Sequence, residues 1–361
     1  MNILIDIAHP GHVHLTRNTY FKLKNSGHQV YVTVKDIPMA KALLEEFKIP
    51  YIYLGGKRDN LIAKALLQLK YNYQLLQLIR RNKITIGFGS SMTLAHVSKL
   101  SKMKSIILDD DDDDVEPLFA KYAHPFADVI LSPKGTRRKS KKTIYYDGYH
   151  ELSYLHPNIF QPDIGVLKEI GVGENETYFI LRFNAFKAHH DVGVQGLSIE
   201  NKRKLVQLLA SKGKVFITTE RDIEEEFQSY QLIISPEKIH ALLYYATLFV
   251  GDSQTMTSEA AVLGTPSIRY NSFVGRITYL EDEEHRYDLT YGFLPGESDA
   301  MFDKIQELLS QENLKEQWKI KRDRLLADKI DVTAFYVWFI ENYPESAKIM
   351  RKNPEYQYKF K

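Results

Sequence analysis

Short apolar runs alternate with longer amphipathic stretches along most of this chain of 361 residues. In the first half the runs fall at residues 3–8, 29–34, 51–54, 84–88, 105–108 and 129–131, and read as buried strands of a parallel sheet. Residues 15–26, 39–47, 60–81 and 92–102 read as the helices that connect them. Between Tyr149 and Gly165 the rhythm breaks at Pro157 and Pro162, which places a linker near residues 155–170. Strand-like runs then resume at 178–183, 215–219, 232–234, 248–250 and 267–270. A last helix, residues 332–341, carries Phe335, Tyr336, Trp338 and Phe339 and is apolar on more than one face. The pattern predicts two doubly wound α/β halves and a returning helix.

One crossover carries candidate chemistry. The run Leu248, Phe249, Val250 stops at Gly251-Asp252, Ser253 and Thr255 supply hydroxyls, and a helix carries Glu259 about a turn later. It ends at Gly264-Thr265-Pro266. A strand, a polar turn opening a helix and a nearby carboxylate can hold a phosphate and a ribose together. An ordinary capped crossover has the same local pattern. The turn after the first strand is the other candidate. It reads His9-Pro10-Gly11-His12-Val13-His14, at the strand end where doubly wound sheets bind ligands. Imidazoles suit metals or proton transfer, and His9 and His14 also suit helix capping or loop contacts.

Composition narrows the classes. A net charge of +2 gives no basic excess for nucleic acid, and the absence of cysteine removes disulfides and thiolate chemistry. The chain enters strand MNILIDIA at once, and no apolar run reaches the roughly 18 residues of a membrane span. A cytoplasmic protein is expected. The leucine-rich helix 60–81 has basic flanks at Lys57, Arg58, Arg80 and Arg81, leaving peripheral contact at the inner membrane face as an alternative to simple core packing.

The string GDSQTMTSEAAVLGTP resembles the nucleotide-sugar site of GT-B enzymes, especially non-hydrolysing UDP-N-acetylglucosamine 2-epimerases, which read approximately GDSGGxQEEAxxLGxP. The resemblance implies a GT-B fold, two Rossmann-like doubly wound domains facing a central cleft, with the C-terminal helix crossing back to the first. It implies domains at residues 1–160 (acceptor and catalysis), 161–331 (nucleotide sugar) and 332–361 (return). It sets Ser253 and Thr255 against the diphosphate and Glu259 on the ribose. Gln254-Thr255 replaces the paired glycines. Gly11-His12-Val13 is similar to the end of the Gly-Gly-His-Val turn in the lipid-intermediate N-acetylglucosaminyltransferase, which implies His12 as general base.

A leaving diphosphate needs positive charge. Arg182, in an otherwise apolar strand end, suits that need or a buried ion pair, and the following loop offers Lys187, His189 and His190. Residues 109–114 are six consecutive aspartates delivered by a strand to the sheet edge, which suits a divalent-metal site or a wall for a polar acceptor. With His124-Pro125-Phe126-Ala127-Asp128, Asp6 and the run from His9 to His14, they resemble domain-of-unknown-function family 354 over nearly the whole chain. The catalytic candidates are thus His12, His14 and Asp110. The substrate-binding candidates are Gly11, Arg182, Lys187, His189, Ser253, Gln254, Thr255 and Glu259. The expected activity is metal- and cofactor-independent glycosyl transfer from a nucleotide sugar, UDP-linked, to a saccharide or lipid-linked acceptor. A UDP-sugar 2-epimerase and a non-catalytic nucleotide-sugar binder stand as alternatives.

Overall fold

A computed structural model describes residues 1–56, 61–183, 196–219 and 223–361, without the side chains of residues 61–65. The described chain forms two compact units, residues 1–159 with 329–361, and residues 160–328.

The first unit holds a seven-stranded sheet. Its strands are β1 (Asn2–Ile7), β2 (Gln29–Val34), β3 (Ile52–Tyr53), β4 (Ile86–Gly89), β5 (Lys104–Leu108), β6 (Val129–Pro133) and β7 (Thr143–Tyr146). The order β3-β2-β1-β4-β5-β6-β7 is parallel throughout. Chain direction across the sheet reverses between β1 and β4, so the carboxyl ends of these strands open a crevice. Ile3, Leu4, Ile5, Ile106, Ile107 and Ile130 are at most 1% exposed, as expected for strands covered on both faces. Each such side chain contributes about 1.5–3 kcal/mol by leaving water.

The second unit holds β8 (Tyr178–Arg182), β9 (Lys214–Thr218), β10 (Leu248–Gly251), β11 (Ser267–Tyr270) and β12 (Thr290–Phe293). Their order is β12-β11-β10-β8-β9, again parallel, with the reversal between β8 and β10.

After Asp328 the chain re-enters the first unit. In helix Val332–Glu341, Val332, Phe335, Tyr336, Phe339 and Ile340 are fully buried, and the Tyr336 hydroxyl meets that of Tyr146 at 2.8 Å. Asp147 receives Lys329 Nζ at 3.1 Å and the Tyr358 hydroxyl at 2.8 Å. A Cβ on Gly148 would lie 2.5 Å from Val332 Cγ2, so only glycine lets the returning segment press this closely on the turn after β7.

The expected and observed elements differ at three strands. The strands β7 and β12 were not anticipated. The expected strand at 232–234 is absent: the Leu232 amide reaches the Ile217 carbonyl, but Ile233 is 87% exposed and follows a 3₁₀ turn, Glu225–Tyr230. In helix Leu61–Asn82, Tyr71, Leu75 and Ile79 enter the core while Leu66, Leu69 and Tyr73 are exposed. No helix among the described residues is long and apolar enough to cross a membrane. Lys57 and Arg58, expected to flank that helix, lie outside the described residues.

Candidate functional site

At the carboxyl edge of the first sheet, helix Pro10–Asn25 begins directly after β1. His9 is its N-cap and accepts the Gly11 amide through Nδ1 at 3.2 Å. Gly11 thus serves helix initiation, and its missing side chain leaves room for the His9 ring: a Cβ would sit 3.3 Å from Nδ1. His14 is 8% exposed and packs between the rings of Phe47 and Tyr154. Two residues apart on a helix, His12 and His14 point to different sides. The expected catalytic role of His14 therefore gives way to packing.

His12 is partly buried, and its Nδ1 accepts the Ala8 amide at 3.3 Å. Burial, reinforced by His9 and His150, pushes its pKa down from 6.5 to about 3. In the neutral ring the proton then sits on Nε2, and the nitrogen that would accept one is engaged by a backbone amide.

A folded-state pKa depressed below the unfolded value means the unfolded chain binds more protons between about pH 3 and pH 6.5. Stability from this group is therefore present above pH 6.5 and lost as pH falls toward 3. After allowance for solvent contact, the expected loss between pH 6 and 4 is about 2 kcal/mol. Urea titrations at several pH values should show a shallower pH slope in His12→Gln; an unchanged slope would contradict the assignment.

The aspartate run is partitioned among fixed partners. Asp109 meets His124 Nε2 and Arg138 Nη1, both at 2.7 Å, and Asp113 meets Arg138 Nη1 at 3.0 Å. Asp112 is fully buried and accepts the Arg137 amide at 2.5 Å, while Asp114 is exposed and 3.3 Å from the Arg137 guanidinium. Asp110 Oδ2 lies 3.0 Å from Nδ1 of His150. Burial opposes the Asp110 charge, but His150 overrides it and holds the carboxyl below its usual range. Burial, then the charges of Asp110 and Asp109, push Asp111 well above that range. Among the described residues no group of three or more His, Asp or Glu side chains is placed to hold a metal ion.

Sequence reasoning gave Asp6 no role beyond family likeness. It is fully buried, accepting the Thr33 hydroxyl at 2.7 Å and the Ser91 hydroxyl at 2.5 Å. Ser91 in turn caps helix Met92–Ser98, so one carboxylate ties β1, β2 and the turn after β4 together. His150 was missed altogether. Its signal was legible: Thr143-Ile144-Tyr145-Tyr146 is β-branched and aromatic, and the Asp147-Gly148 turn delivers His150 to the same edge.

In the second unit, helix Gln254–Leu263 opens at the end of β10. Ser253 is its N-cap, and its Oγ accepts the Met256 amide at 3.3 Å. Gln254 and Thr255 occupy the first helical positions, whose amides have no acceptor within the helix. Arg182 pairs with Gly251 in register, and its carbonyl accepts the Asp252 amide at 3.3 Å. Its guanidinium reaches Thr218 Oγ1 at 3.5 Å, and that hydroxyl is 3.9 Å from the Met256 sulfur. Thr218 thus lies between the Arg182 guanidinium and Met256 of the helix's first turn, at the sheet's reversal. Glu259 points inward, 5% exposed, with Oε1 at 3.0 Å from Nε2 of the buried His240. The candidates Lys187, His189 and His190 lie outside the described residues.

Residues 1–286 match a family model described as protein of unknown function (DUF354). The uncharacterized protein MJ0665 of Methanocaldococcus jannaschii is 22% identical over 285 residues, covering 74% of this chain and 81% of its own. Among solved structures, a UDP-N-acetylglucosamine 2-epimerase superposes with a TM-score of 0.67 at 14% identity, over 95% of this chain and 96% of its own. The spinosyn rhamnosyltransferase SpnG, complexed with thymidine diphosphate, gives 0.62 at 13% identity, over 94% of this chain and its whole length. At such identities the likeness shows the fold, which is GT-B with two Rossmann-like units.

Proposed function

The chain belongs to the DUF354 family, and from that premise we propose that it is a nucleotide-sugar-dependent enzyme, in the first instance a glycosyltransferase. The observation that carries this reading is that Arg182, ending β8, and helix Gln254–Leu263, opening after β10, start from paired strands at the sheet's reversal, with Thr218 against both Arg182 and Met256. Such a turn presents unpaired amides and the positive end of a helix dipole, and a guanidinium beside it suits a diphosphate. Glu259, bonded to His240, is assigned to the ribose hydroxyls. Within the first unit, His12, whose Nδ1 accepts the Ala8 amide, is the residue assigned to proton chemistry.

In transfer, the acceptor hydroxyl gives up its proton as its oxygen bonds to the anomeric carbon. The bond from that carbon to the diphosphate breaks, and its electron pair leaves on the diphosphate oxygen. Arg182 and the helix amides meet that charge. The second reading is a UDP-sugar 2-epimerase, favoured by the likeness of the Gly251–Glu259 stretch to the epimerase string and by the superposed epimerase.

Purified protein incubated with UDP-N-acetylglucosamine separates the readings. Turnover only with an added acceptor supports transfer, and conversion to the manno epimer without one supports isomerisation. Saturation of the folded state at a hundred times Kd adds about 2.7 kcal/mol, a rise of roughly 5–10 °C in Tm for a unit the size of the second one. A flat thermal response to millimolar UDP, dTDP and GDP and their sugars would remove the proposal.

A further inference from the structure

We infer that His150, oriented by Asp110, is the proton-accepting base of this protein, and that His12 acts beside it as a donor. The inference rests on the functional reading above and deepens it by assigning the proton. His150 follows β7 in a turn braced from both sides. Tyr146 is bonded to Tyr336, Asp147 to Lys329 and Tyr358, and the Ser153 hydroxyl donates to the Leu15 carbonyl at 3.1 Å. The imidazole is 8% exposed, so its position is set by the fold rather than by solvent.

Its two nitrogens differ in surroundings. Nδ1 faces Asp110 Oδ2 at 3.0 Å, and a carboxylate only accepts, so Nδ1 carries a proton. Nε2 is buried and has no hydrogen-bond partner among the described residues. A buried, unpartnered ring nitrogen costs free energy unless something occupies the space before it. In the neutral ring it presents a lone pair, as a base must. His12 is the converse: Nδ1 is taken by the Ala8 amide and Nε2 carries the proton. Both rings stand at the carboxyl edge of the first sheet, His12 after β1 and His150 after β7. One imidazole therefore accepts a proton and its neighbour donates a hydrogen bond, each tautomer fixed by its other nitrogen. An incoming hydroxyl gives its proton to Nε2 of His150, and Asp110 stabilises the resulting imidazolium without itself becoming protonated.

The test combines turnover, binding and tautomer. His150→Gln is expected to lower kcat by about 10²–10⁴-fold while nucleotide affinity stays within a factor of about three. His12→Gln keeps an N–H where Nε2–H stood and is expected to lower kcat by less than His150→Gln does. Asp110→Asn should lower kcat with His150→Gln. Nitrogen-15 NMR of the histidines should show His150 protonated on Nδ1 and His12 on Nε2, with the His150 pattern lost in Asp110→Asn. Turnover in His150→Gln within threefold of wild type, or a bare Nδ1 on His150, would overturn the assignment. A wild-type protein inert toward every nucleotide sugar overturns the functional reading instead, and the tautomer spectrum tells the two failures apart.

Discussion

Arg138→Met is expected to destabilise the first unit by about 3–5 kcal/mol, the usual cost of removing one member of a buried ion pair. The Arg138 side chain is 1% exposed and joins Asp109, Asp113 and the Ser132 hydroxyl, the last at 2.9 Å. Methionine fills the stem of the cavity but leaves two carboxylates in a low-dielectric site with the His124 ring as their remaining nearby partner. For a unit of this size the loss corresponds to a fall of roughly 8–15 °C in Tm. Arg138→Lys should recover part of it, since a single ammonium restores charge but not the fork that reaches Asp109, Asp113 and Ser132 at once. A melting temperature within about 2 °C of wild type for Arg138→Met would show that the aspartate run does not depend on this guanidinium.

Glu259→Ala is the second large effect. Removing the carboxylate takes away the bond to His240, 1% exposed, and leaves a void beside helix Gln254–Leu263. The lost buried bond and the void are together expected to cost about 2–3 kcal/mol. Nucleotide affinity should fall at least tenfold, because the carboxylate assigned to the ribose is gone and the turn above it loosens. Glu259→Gln separates the two contributions. The amide keeps an oxygen for His240, so Tm should hold nearly at the wild-type value, while the loss of charge weakens the ribose contact. Isothermal titration with UDP beside a thermal melt reads both. Unchanged affinity in Glu259→Gln would leave Glu259 a structural partner of His240 and move ribose binding elsewhere.

Strands covered on both faces announce themselves as continuous apolar runs, so β1, β2, β4, β5, β6, β8, β10 and β11 were legible within a residue or two. The edge strands β3 and β9 were legible as well, at 51–54 and 215–219, but the edge strands β7 and β12 were not. β7 is buried at Ile144 and Tyr146 but open at Tyr145, so its signal is a weaker period of two. β12 contains Gly292, which reads as a breaker. In the fold that glycine is required, because a Cβ there would lie 2.8 Å from Val274 Cγ1. The apolar residues near 232–234 misled for the opposite reason: hydrophobicity without a neighbouring surface to cover Ile233 does not make a strand.

The same contrast divides the site. Local patterns located the caps, since Ser253 and His9 satisfy helix amides only a few residues away. Amino-acid order by itself determined the alternation of elements, the two parallel sheets and the turns at their carboxyl edges, because these follow from periodicity and near-neighbour hydrogen bonds. Tertiary structure decided which nitrogen of His12 and of His150 holds a proton, that five of the six aspartates are shared among His124, His150, Arg137 and Arg138, and that Glu259 leans on His240. Those outcomes depend on burial and on partners distant along the chain. Asp110 and His150 lie forty residues apart in sequence and 3.0 Å apart in space, and only the folded chain sets that distance.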